Sequence, residues 1–220
     1  ERIATDPRAT DALKTTIGTL SARFRPPFYT AGRKSVPLEE VTARLIGRVY
    51  SFPANIGGLF PFILQSVHNN FTTGLQQIAF SRAEDGTLAI EMVEGDYKHR
   101  FMLAESDFTQ AQLSQRGDVF EARFAAQTEI SDTGELSLII AAYFIETPFT
   151  RLIRMTLTGE DTLKIVFDEA PSIRDASEML MELTGITRVE IVRNVLPLLK
   201  QDRMQHTLRT FTTVTVQGKL

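Results

Sequence analysis

The chain contains no cysteine and no tryptophan, and only three histidines in 220 residues. Without cysteine there is no disulfide, no thiolate metal site and no cysteine nucleophile. His68, His99 and His206 stand far apart, and none belongs to an H-E-x-x-H or similar spacing. Neither a structural metal nor a cofactor is therefore expected. Charge of neither sign dominates: 24 Lys and Arg face 27 Asp and Glu, a net charge of −3. That balance lacks the basic footprint of a nucleic-acid surface. The longest apolar run, Leu136 to Ile145 with Ser137 inside it, is far short of the ~20 residues of a membrane helix. Neither nucleic acid nor membrane is an expected partner. Internal repeats and low-complexity tracts are also missing.

What remains is the composition of an ordinary globular domain, with 43% hydrophobic and 23% charged residues. A chain of this length buries roughly 70% of its unfolded surface, enough for a large core. The first residue is Glu1, and the opening ERIATDPRAT reads as a cut inside a longer protein. Thr5-Asp6-Pro7 is a helix start, and Leu13, Ile17, Leu20 and Phe24 follow at helical spacing. Pro26-Pro27 ends that helix, and Phe28 to Pro37 reads as a strap. The apolar stripe must bury, against the following domain, a missing domain or a second copy of the chain.

From Val41 the period changes to that of strands. Val41–Tyr50 and Leu75–Arg82 read as the first two. Asp85-Gly86 then signals a hairpin into Leu88, Ile90 and Met92. Glu94-Gly95-Asp96 turns into Tyr97–Leu103. Phe120 and Phe124 alternate with Glu121 and Arg123. Asp132-Thr133-Gly134 leads into Leu136–Phe144. Ile153 and Met155 alternate with Arg154 and Thr156, and Gly159-Glu160-Asp161 turns into Leu163, Ile165 and Phe167. About eight short strands with Gly and Asp turns predict a mainly β fold: an antiparallel, lipocalin-like barrel with flanking N- and C-terminal helices. The second flanking helix spans Ser172–Leu183, before Gly185. The divisions are 1–37 (helix and strap), 38–185 (barrel) and 186–220 (an extension with an extended piece, a short helix and a last strand near Thr210–Val216).

Three stretches carry a resemblance. Asp6-Pro7-Arg8-Ala9 opens the helix, and Pro26, Pro27 and Gly32 form the strap. Gly47-Arg48-Val49-Tyr50-Ser51-Phe52-Pro53-Ala54-Asn55-Ile56-Gly57 follows. With His68–Phe80 and Phe144–Arg151, this order resembles the region after the catalytic domain in bacterial serine hydrolases of the class C β-lactamase and penicillin-binding-protein-like family. The likeness covers residues 5–183. That family's nucleophile box is S-x-x-K, followed by S-D-N and K-T-G. No serine here is followed three residues later by lysine; Ser106-Asp107-Phe108 and Ser131-Asp132-Thr133 fail the second box, and Lys14-Thr15-Thr16 fails the third. No catalytic residue is carried over. The resemblance implies a non-catalytic C-terminal barrel of a hydrolase. Its partner would be the parent catalytic domain, and its contribution structure, assembly or active-site access.

Two rival readings use particular residues. A barrel binding a small hydrophobic ligand would draw on His68, Asn69, Asn70, Glu146 and Arg151, with phenylalanines such as Phe60, Phe62, Phe71, Phe101 and Phe149 as lining. An independent hydrolase would use His68 as base with Glu146. The plainer readings are a loop at His68-Asn69-Asn70, a surface ion pair of Glu146 with Arg151 or Arg154, and phenylalanines filling a core. Gly47 reads as a bulge in a strand, with Tyr50 and Phe52 in the core.

Overall fold

A computed structural model describes residues 33–61, 64–65, 71–105, 107–115, 117–145, 147, 149–170 and 214–220. Both expected flanking helices lie outside the described residues, as does the first half of the strap. The elements are β1 (Lys34–Ser35), α1 (Leu38–Leu45), β2 (Val49–Ser51), β3 (Gln77–Arg82), β4 (Leu88–Glu94), β5 (Tyr97–Leu103), β6 (Thr109–Gln115), β7 (Asp118–Ile130), β8 (Leu136–Phe144), β9 (Thr150–Leu157), β10 (Thr162–Ala170) and β11 (Val214–Lys219).

The strands form one antiparallel sheet. Its continuous path runs β1-β7-β8-β9-β10-β11-β2-β3-β4-β5 and curls into a half-barrel. β6 pairs with β7 off that path, on the edge that β1 uses further along. β11 closes the sequence gap between β10 and β2, so residues far apart in the chain share one sheet. The Thr109 hydroxyl donates to the Met102 carbonyl, linking β6 to β5 where no ladder joins them among the described residues.

Period-2 alternation decides what fills the interior. Phe120, Phe124, Ile153, Met155, Ile165 and Phe167 share one buried core, as the alternation predicts. Phe101 of β5 and Phe124 of β7 stack at 4.2 Å between centroids with 4° between planes. Phe60 lies 5.3 Å from Phe120 and from Phe144, so these three rings form an aromatic cluster within the half-barrel. Each large apolar side chain buried this way contributes roughly 1.5–3 kcal/mol. Phe71 does not fill the core and stands 43% exposed.

Three further expectations are corrected. Val41–Tyr50 is not one strand: Val41–Leu45 is helical, and only Val49 and Tyr50 of that span are extended, in β2. Leu38, Val41, Thr42 and Leu45 recur at helical spacing and are buried together along α1, so the β-branched content misled where the period did not. Pro37 precedes the helix, Glu39 and Glu40 occupy its first turn, and the Leu38 N–H donates to Glu105 Oε1 at 3.2 Å. Gly47 is not a strand bulge; with φ +77° it turns the chain from α1 into β2. The strand count exceeds eight, chiefly because β6 is spelled Thr-Gln-Ala-Gln-Leu-Ser-Gln and exposes Gln110, Gln112 and Ser114 on its outer face. Tyr50 is in the core and Phe52 packs against it.

Candidate functional site

The inward-facing positions change character at one end of the half-barrel. Along β4, Leu88, Ile90 and Met92 are buried, and the next inward residue is Glu94. Along β5 the series Leu103, Phe101 continues to His99. In β6 Leu113 is followed by Gln115, in β9 Ile153 is preceded by Arg151, and in β10 Phe167 is followed by Glu169. All five polar residues are buried. Antiparallel pairing brings the ends of these strands to the same rim, with Glu94 opposite Tyr97 and Glu169 opposite Arg151.

Glu94 is 2% exposed and is hydrogen-bonded through both oxygens. Its Oε1 accepts the Leu59 N–H at 2.6 Å, and its Oε2 accepts the Thr72 hydroxyl at 2.5 Å. Burial pushes the carboxyl above the ordinary glutamate range, while Thr72, the Leu59 N–H and the charge of Arg151 pull it back. Arg151, 1% exposed, donates from Nε to the Gly58 carbonyl at 2.8 Å and sits 5.1 Å above the Phe167 ring. Its Nη1 lies 3.4 Å from Glu169 Oε2. Together Glu94 and Arg151 pin the segment 57–59 over the barrel end. Asn55 does the same for the segment below, donating to the Pro53 and Leu75 carbonyls at 2.7 Å and accepting from Gly57 and Leu75.

Next to this bracing a cavity of about 130 Å³ opens. Phe71 to Thr73, Glu94 to Tyr97, His99 and Gln115 line it. His99 is 2% exposed, and its Nε2 has no hydrogen-bond partner among the described residues. Its ring meets Phe60 edge-on at 5.3 Å and stacks at 6.4 Å on Tyr97. Burial pulls the imidazole down to about 4, so it is neutral at physiological pH. A base that weak, with no hydroxyl hydrogen-bonded to Nε2, suits holding a ligand better than activating a nucleophile.

Of the five polar candidates His68, Asn69, Asn70, Glu146 and Arg151, Arg151 alone is described, and it reaches neither the surface nor the cavity lining, whereas Phe71 of the phenylalanines lines the cavity. Its ionic partner is Glu169, and Arg154 pairs with Glu129. His68, Asn69, Asn70 and Glu146 lie outside the described residues. Glu94, His99 and Gln115 escaped the sequence reading, which took Glu94 as a turn residue and His99 as isolated. Strand parity would have found Glu94 and His99, each of which continues an apolar inward series by one step, whereas Gln115 lies on a strand with no apolar alternation to read. Among the described residues no group of three His, Cys, Asp or Glu side chains is placed to hold a metal. No described helix is long and apolar enough to cross a membrane. Comparison with known proteins finds no matching family model, no matching curated protein and no matching solved structure.

Proposed function

We propose that the chain is a non-catalytic accessory barrel of a β-lactamase-like serine hydrolase, and that the curled sheet is the lipocalin-like barrel which the sequence resemblance implies. One observation carries the reading: the buried polar groups are used to brace loops. Glu94, Arg151 and Asn55 each hydrogen-bond to the backbone of residues 53–59 or 75, which gives a braced end suited to pack against another domain. The interior is filled by stacked and edge-on phenylalanines, which favours a structural core over a large apolar ligand chamber.

Two measurements test it. The reading frame upstream of Glu1 should encode S-x-x-K, S-D-N and K-T-G boxes; a frame without them overturns the assignment to that family. Purified chain should turn over neither a chromogenic β-lactam nor a p-nitrophenyl ester. Turnover that is lost on His68→Ala or His99→Ala would make the chain an enzyme in its own right.

A further inference from the structure

The cavity lined by His99 has a lopsided chemistry. Its described lining holds two carboxylates, Glu94 and Asp96, and no lysine or arginine. Phe71 and Tyr97 supply aromatic surface, Thr72 and Thr73 supply hydroxyls, and Gln115 an amide. The imidazole Nε2, buried and unpartnered among the described residues, is a polar atom held without compensation. A buried group of this kind is ordinarily satisfied by protein, water or ligand.

We propose that this cavity binds a small primary ammonium group. The charge rests between Glu94 and Asp96, one N–H donates to His99 Nε2, and a short alkyl stem lies against Phe71 and Tyr97. Aromatic faces and carboxylates together favour a cation over a neutral or anionic group. A neutral imidazole with its proton on Nδ1 offers Nε2 as acceptor and does not repel the ammonium. The carboxyl of Glu94, held back from ionising by burial, gains a counter-charge when the ligand arrives. The volume of about 130 Å³ resembles that of engineered cavities that accept benzene, so the ligand has roughly six heavy atoms. Arg151 does not compete, because Glu169, the Gly58 carbonyl and the Phe167 face already engage it. The site is independent of the accessory-barrel reading and stands or falls by itself.

A free amine and a lysine side chain offer the same head group, so the test carries both. The full chain, ¹⁵N-labelled, is titrated with n-butylammonium, with Nα-acetyl-lysine amide and with n-butanol at constant ionic strength. Saturable shifts at the His99 ring and at the Thr72, Thr73 and Gly95 amides are expected, with a Kd on the order of millimolar for at least one ammonium. The tighter of the two ammonium probes assigns the source. Asp96 is exposed, so Asp96→Asn preserves the fold and should weaken binding roughly fivefold. His99→Phe, checked for folding by shift dispersion, should abolish it. Butanol binding as tightly as both ammonium probes, non-saturable shifts, or an unchanged affinity in folded Asp96→Asn overturns the proposal.

Discussion

Arg151 and Glu169 sit opposite each other in the β9–β10 ladder, both buried, with 3.4 Å between Nη1 and Oε2. Burial pulls the guanidinium down from its ordinary value, and Glu169, Glu94 and Asp168 hold it up. Removing Glu169 takes away the ladder partner of a buried guanidinium and leaves only Glu94 and Asp168 to offset its desolvation. Glu169→Ala should therefore destabilise the fold by about 3–5 kcal/mol in urea unfolding. The paired replacement Arg151→Met with Glu169→Leu should recover much of that loss, because an apolar pair removes both desolvation penalties. A double variant no more stable than Glu169→Ala would show that the Gly58 and Phe167 contacts of Arg151, and not its charge balance, hold this end together.

Phe124 provides a second measure of the core. It is fully buried and stacked on Phe101, so Phe124→Ala removes both burial and a ring contact. The expected loss is about 3–5 kcal/mol, read from the denaturant midpoint at unchanged slope. A loss below about 1 kcal/mol would mean that the interior collapses around the gap.

Much of this fold is legible in the residues, and the failures have identifiable causes. Alternation places the cores of β7, β9 and β10, and β5 and β8 begin and end where the turns predict. Helix α1 was hidden by Val41, Thr42 and Ile46, whose β-branched side chains look like strand although Leu38, Val41 and Leu45 keep a helical period. Strand β6 was hidden by its glutamines, because an outward face of Gln and Ser gives no apolar alternation to read. The polar rim was legible in principle: Glu94, His99, Gln115, Arg151 and Glu169 all occupy inward positions of strands already recognisable, except β6. What no one-dimensional pattern gives is that antiparallel pairing gathers these five strand ends at one rim.

The rim also predicts how stability follows pH. His99 is held near 4 against 6.5 unfolded, so the unfolded chain binds its proton first. The stability that His99 supports is present above pH 6.5 and is lost as pH falls toward 4. The full effect is on the order of 3 kcal/mol. Glu94 acts in the opposite sense: its raised value favours the protonated fold at low pH, and that contribution is lost as pH rises through the folded value. Urea unfolding from pH 4 to 8 should thus show a smaller acid loss for His99→Phe than for the parent, and Glu94→Gln should lack the decline toward high pH. Parallel profiles for parent and His99→Phe would mean that the imidazole is hydrated in the folded chain.

Gly74 and Gly86 separate backbone conformation from packing. Both have positive φ, +91° and +88°. At Gly86 an added Cβ meets nothing within 4 Å, so Gly86→Ala costs only the left-handed conformation, about 1 kcal/mol. At Gly74 the same Cβ would stand 2.0 Å from the Asn55 carbonyl oxygen, a backbone atom. That oxygen cannot retreat without moving the residue whose side chain ties Pro53, Gly57 and Leu75 together. Gly74→Ala should therefore cost roughly 3 kcal/mol or more, with the excess over Gly86→Ala reporting the contact alone. Faster amide exchange at Gly57 and Leu75 in Gly74→Ala would locate the damage in the Asn55 junction. Equal losses for the two variants would show that this junction yields freely, and that the brace over the barrel end rests on Glu94 and Arg151 instead.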